Sequence, residues 1–174
     1  MRKNISIFLI ILCTFIIQTS LMRFLPFIAS PNLLIILVCS FGFMRGKKSG
    51  LLIGFVCGIL SDLFYGNTFG LTALIYMYLG YISGNLYKVF FDKDVKIPML
   101  TAGIADLIYN LVYYVAEFAL RGRFAFGSYF RYTILPEFIA TAVFTILFYK
   151  IYYALNQRIS AREMEDRHSP WLRR

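Results

Sequence analysis

The chain has 174 residues, 59% of them hydrophobic and only 16% charged, and its mean hydropathy is +0.67. Soluble domains average about 45–50% apolar and about 25% charged residues, so composition excludes an ordinary soluble domain and indicates a polytopic membrane protein. The formal net charge of +9 does not point to nucleic acid, because the basic residues lie in short loops and near the C-terminus, as membrane topology requires.

Met1-Arg2-Lys3 followed by an apolar run resembles a secretory signal, yet Gln18-Thr19-Ser20-Leu21-Met22 offers no A-x-A cleavage site. The segment reads as an uncleaved first span over about 4–22, long enough for a bilayer core of about 20 residues. After a loop containing Pro26, Ser30-Pro31 predicts an N-cap and a first-turn proline for a second helix over about 31–44. That helix is short for a full crossing. Arg45-Gly46-Lys47-Lys48 ends it as a basic turn, and a third span covers about 49–65. A tight loop at Gly66-Asn67 leads to a fourth span over about 68–87, carrying Gly80 and Gly84. A mixed-charge loop from Lys88 to Lys96 precedes a fifth span over about 97–120. The sixth, over about 132–155, runs into a polar tail, 156–174.

The expected fold class is therefore all-α: one six-helix transmembrane domain over 1–155 with a polar tail. A re-entrant hairpin within 31–65 would instead leave four spans. Six spans put both termini on one side. Fourteen of the eighteen Lys and Arg residues then share that side, and only Arg23, Arg121, Arg123 and Arg131 lie opposite. Positive residues mark the cytoplasmic face, so both termini are expected in the cytoplasm.

Little in the chain suggests catalysis. Cys13, Cys39 and Cys57 sit in apolar segments without metal-type spacing, and the one histidine, His168, lies in the tail. No phosphate loop, nucleophile elbow or carboxylate pair with a helper base occurs, so no enzyme, cofactor or metal site is expected.

The most patterned stretch is Gly50 to Gly70. Gly50, Gly54, Gly58 and Asp62 recur every four residues and so share one helix face. A nearly side-chain-free stripe on an apolar helix suits close approach by another helix, either within the chain or from a partner. Asp62 lies about 18 Å along its helix at 1.5 Å per residue. It reads either as a partner or ligand contact or as a carboxylate capping the next helix. On the fifth span Asp106 and Asn110 are one turn apart near mid-bilayer, where an acid is costly. They line a solute cavity or form an internal polar cluster. Glu117, four residues before Arg121, and Glu137, after the helix-opening Pro136, are expected as rim ion pairs.

With Ser30-Pro31-Asn32-Leu33-Leu34 opening the second helix and Gly50, Gly54, Gly58 and Asp62 following a basic turn, the chain resembles the MreD family of bacterial rod-shape-determining membrane proteins. The similarity spans the hydrophobic region. It implies a non-enzymatic scaffold of the cell-elongation complex in the cytoplasmic membrane, contacting lipids and the single-span protein MreC. Through MreC it would connect to MreB, RodA and a class B penicillin-binding transpeptidase in lateral peptidoglycan synthesis. A homodimer is a further candidate assembly. Pro31, Asn32, Gly50, Gly54, Gly58 and Asp62 are the residues expected to pack or to bind the partner. The family is also similar in fold to the S-components of energy-coupling-factor transporters. The runner-up reading is accordingly a protein that binds or transports a vitamin or lipid-linked precursor at Asp106 and Asn110. Such components typically carry an A-x-x-x-A face on the first helix, which Ile5 to Leu12 lacks.

Overall fold

The computed structural model describes residues 2–24, 31–65, 69–86, 96–116 and 126–168, and among these residues every regular element is helical. In chain order they are α1 (Arg2–Phe24), α2 (Leu33–Arg45), α3 (Lys47–Tyr65), α4 (Leu71–Leu86), α5 (Lys96–Tyr114), α6 (Phe126–Tyr129) and α7 (Leu135–His168). A π-helical segment, Phe130–Ile134, joins α6 to α7. α6, this segment and α7 form one continuous rod, so the described residues make six helical rods. The expected Ser30 cap, the Gly66-Asn67 loop, the Lys88 loop and the Glu117–Arg121 pair lie outside the described residues.

The short second helix is the axis of the bundle. Its 13 residues reach only about 20 Å, and every side chain from Leu33 to Phe43 is buried. α2 touches α1, α3, α4, α5 and α7. A helix that is apolar all round must be covered on all sides, and here protein does the covering. Its start differs from the Ser30-Pro31 expectation: Asn32 is the N-cap, and its side-chain Oδ1 accepts from the Ile35 amide at 3.3 Å. Its end is equally abrupt. Gly46 alone separates α2 from α3, at φ +83°, a conformation that glycine adopts without a Cβ penalty. The basic turn is thus one residue long, and Lys47 and Lys48 already belong to α3.

α3 and α4 form the most closely packed pair, and α5 lies against α7. α1 is held to the body by polar contacts: Thr14 Oγ1 meets the Tyr152 hydroxyl at 3.1 Å, and Gln18 Oε1 accepts from the Leu34 amide at 3.0 Å. α7 runs without a break through position 155 as far as His168.

The exterior is apolar. Leu52, Leu63, Phe64, Tyr132 and Leu147 are each more than half exposed, and similar side chains cover the outward faces of all the long helices. A soluble monomer seldom exposes more than a few hundred Å² of contiguous apolar surface. The helices Lys47–Tyr65 and Phe126–Ala161 are long and apolar enough to cross a membrane, and Ile5–Ser20 and Leu33–Arg45 are shorter apolar helices. Only about a third of α3 is buried inside the protein, unlike the core helix of a soluble protein.

Candidate functional site

Two seams gather the residues singled out in the sequence. The first is the glycine stripe, which faces inward along α4. A Cβ on Gly50 would stand 2.2 Å from the Gly80 carbonyl oxygen, one on Gly54 2.2 Å from that of Tyr76, and one on Gly58 2.3 Å from the Ala73 Cα. The relation is reciprocal: a Cβ on Gly80 would stand 2.2 Å from the Gly50 carbonyl oxygen. The two backbones touch, so the stripe has no room for a partner's helix.

Asp62 closes this seam at the far end of α3. It is 4% exposed. Its Oδ2 accepts from the Gly70 amide at 2.9 Å and the Ala73 amide at 3.0 Å, and its Oδ1 from the Thr72 amide at 3.2 Å. These are first-turn donors of α4, which lack partners within their own helix, and the helix N-terminus favours a negative charge. Of the two readings open in the sequence, the cap on the next helix is the one the geometry supports. Gly70, at the start of α4, has no side chain to cap with, and Asp62 of the neighbouring helix supplies the acceptor.

The second seam is polar and runs through the bundle's interior. Asn32 is its hub. Its amide donates to Thr141 Oγ1 of α7 at 3.1 Å, and its Oδ1 accepts from the Tyr76 hydroxyl of α4 at 3.0 Å as well as from Ile35. With Gln18 on Leu34, the α2 N-terminus is capped by groups from several helices. Leu33 donates to the carbonyl of Pro31 at 3.1 Å. Asn32→Ala would orphan the Tyr76 hydroxyl and the Ile35 amide and is expected to cost about 1–3 kcal/mol. Asn32→Asp, which keeps the acceptor, should melt in detergent closer to the wild type.

Thr141 links the hub to α5, because its hydroxyl also approaches the Asp106 carboxyl. Asp106 is fully buried, and neither of its carboxyl oxygens has a partner in hydrogen-bonding geometry. Asn110 does not bond that carboxyl: its Nδ2 donates to the Asp106 backbone carbonyl at 3.1 Å. The Asn110 carboxamide also reaches the Glu137 carboxyl, as an N–H donor. Glu137 was expected at the rim as an ion pair. It is instead half-buried on the inward side of α7 beside Asn110, Tyr109 and Tyr129. The reason lies upstream. Pro136 cannot donate to a preceding carbonyl, and the rod passes it by a π turn in which the Leu135 amide reaches the Phe130 carbonyl. The helix therefore begins before Pro136, and Glu137 is an interior position.

The structure thus brings Asn32 together with Asp106 and Asn110, and keeps them apart from the glycine seam except through Tyr76, whose carbonyl abuts Gly54. Gln18, Tyr76 and Thr141 were missed in the sequence. Their signal was the four-residue step: Thr14 with Gln18, Thr72 with Tyr76, and Glu137 with Thr141 and Thr145 repeat the spacing of Asp106 with Asn110, and each set marks an inward face. Among the described residues no group of His, Cys, Asp and Glu could hold a metal through three or more ligands, and the buried Cys39 and Cys57 are free thiols.

Residues 1–158 match the family model of the rod shape-determining protein MreD. No curated protein and no solved structure gives a match.

Proposed function

The chain belongs to the MreD family of rod shape-determining proteins, and from that premise we propose that it is a membrane-embedded, non-catalytic scaffold of the cell-elongation complex that binds MreC. The carrying observation is the family match over nearly the whole helical body. The chemistry of the interior agrees with it. Asp62 and Asn32 are consumed in capping helices, which is structural work. The outward faces, by contrast, offer large apolar side chains to lipid or to another helix.

In this reading six rods cross the cytoplasmic membrane with both termini inside, and the distribution of Lys and Arg supports that orientation. MreC docks on the outward row beside the filled glycine seam, where Leu52, Phe55 and Leu63 are exposed. MreB, RodA and the transpeptidase are reached through MreC. A solute-uptake role lacks the small-residue docking face on the first helix.

The test is co-purification of tagged protein with MreC from membranes that hold both. Wild-type protein is expected to bring MreC down, and Leu52→Trp with Leu63→Trp to lose most of it while melting like the wild type. Recovery of the folded wild-type protein without MreC would sink the proposal.

A further inference from the structure

The oxygen groups between α5 and α7 form an arrangement that capping does not explain. Asp106 and Asn110 stand one turn apart on α5, Glu137 and Thr141 one turn apart on α7, and the two pairs face each other. Asp106 is 0% exposed with both carboxyl oxygens unpartnered. The Glu137 carboxyl lies within electrostatic reach of it, and no basic group acts on either among the described residues. Tyr76, Tyr109 and Tyr129 also face Glu137 and bring no positive charge.

A buried carboxylate that a single hydroxyl approaches, with no hydrogen bond in good geometry and no counter-charge among the described residues, is an expensive arrangement in a protein interior. We propose that Asp106, Asn110, Glu137 and Thr141 form an oxygen-only site for one alkali-metal cation, with Asp106 as the inner ligand and the half-buried Glu137 at its mouth. The donor set is hard oxygen throughout, which selects against zinc, copper and other metals that favour nitrogen or sulfur. Calcium takes 6–8 oxygen ligands and magnesium keeps several waters, whereas this seam offers four side chains and a fully enclosed floor. A monovalent ion that sheds its water readily fits that supply. Thr141 Oγ1 accepts from the Asn32 amide, so an ion on Asp106 would also be sensed at the start of the central helix.

Full-length protein in detergent is exchanged into choline chloride and melted while sodium chloride or potassium chloride replaces choline at fixed ionic strength and fixed pH. A ligand held only by the folded state raises stability with its concentration. The expected result is a saturable rise of several degrees with sodium or potassium, absent in Asp106→Asn. Glu137→Gln should keep the rise but need about tenfold more salt, the loss of one charged ligand. Identical melting in choline and alkali salts would overturn the proposal. So would melting that follows pH but neither metal, which would assign the neutralising charge to a proton. If Asp106→Asn does not fold, sodium-22 binding to the wild type, displaced by unlabelled sodium and weakened in Glu137→Gln, decides the matter, and no displaceable binding overturns it.

Discussion

Gly54→Ala is expected to lower the melting temperature of the detergent-solubilised protein sharply, although it adds one methyl group. The new Cβ would sit 2.2 Å from the Tyr76 carbonyl oxygen and 2.7 Å from its carbon. Both are backbone atoms of a helix, so no rotamer change can relieve the overlap, and α3 and α4 must separate along the whole seam. Overpacking typically costs about 1–3 kcal/mol, and a backbone-on-backbone clash belongs at the upper end or above. Gly58→Ala, against the Ala73 Cα at 2.3 Å, should behave alike. Gly103→Ala is the control: its Cβ would meet the edge of the Phe138 ring at 2.8 Å, and a ring can swing aside, so its loss should be small. Wild-type melting of Gly54→Ala would refute the seam. The same geometry governs how partner-binding experiments are read. Loss of MreC from a Gly54 or Gly58 variant reports a damaged bundle, whereas loss from Leu52 and Leu63 variants that melt normally reports an interface.

The glycine period showed in the sequence that a helix must come close at Gly50, Gly54 and Gly58, but not whose helix it would be. Close approach needs a small-residue face on both sides, and Ala73, Gly80 and Gly84 on α4 carry the matching steps. The central place of α2 was hidden for a different reason. Hydropathy separates apolar from polar surroundings, and in a chain this apolar it cannot tell lipid from a ring of neighbouring helices. Thirteen residues look too short for a span and suit a buried axis equally well. Capping was legible in kind and wrong in position: Ser30 and Asn32 are both good caps, and what favours Asn32 is the Tyr76 hydroxyl and Thr141, distant in sequence. Glu137 was misplaced because Pro136 reads as a helix start, while the π turn before it lets the helix begin ten residues earlier, at Phe126.

Asp62→Ala should be nearly as damaging as a stripe substitution, and it separates capping from ligand binding. Removing the carboxylate leaves the Gly70, Thr72 and Ala73 amides without their acceptor. Gly70 lies nearer the surface, where water can reach it, but Thr72 and Ala73 are buried. An orphaned buried donor costs about 1–3 kcal/mol, so about 2–4 kcal/mol is expected for the set, with the favourable charge at the α4 N-terminus lost as well. Asp62→Asn keeps one acceptor oxygen and should recover part of the loss. The location of the damage is the sharper test. Hydrogen exchange should accelerate first at the amides of Thr72 and Ala73 and then along α4, while amides of α5 and α7 stay protected. A carboxylate held for a partner would behave otherwise: Asp62→Ala would melt normally with α4 protected, and only MreC recovery would fall. Because the three amides converge on one side chain from the next helix, the cap also fixes the register of α4 against α3. A shift of one residue there would move Gly80 off Gly50 and Ala73 off Gly58, so Asp62 and the glycine stripe act as one device for holding two helices at backbone contact.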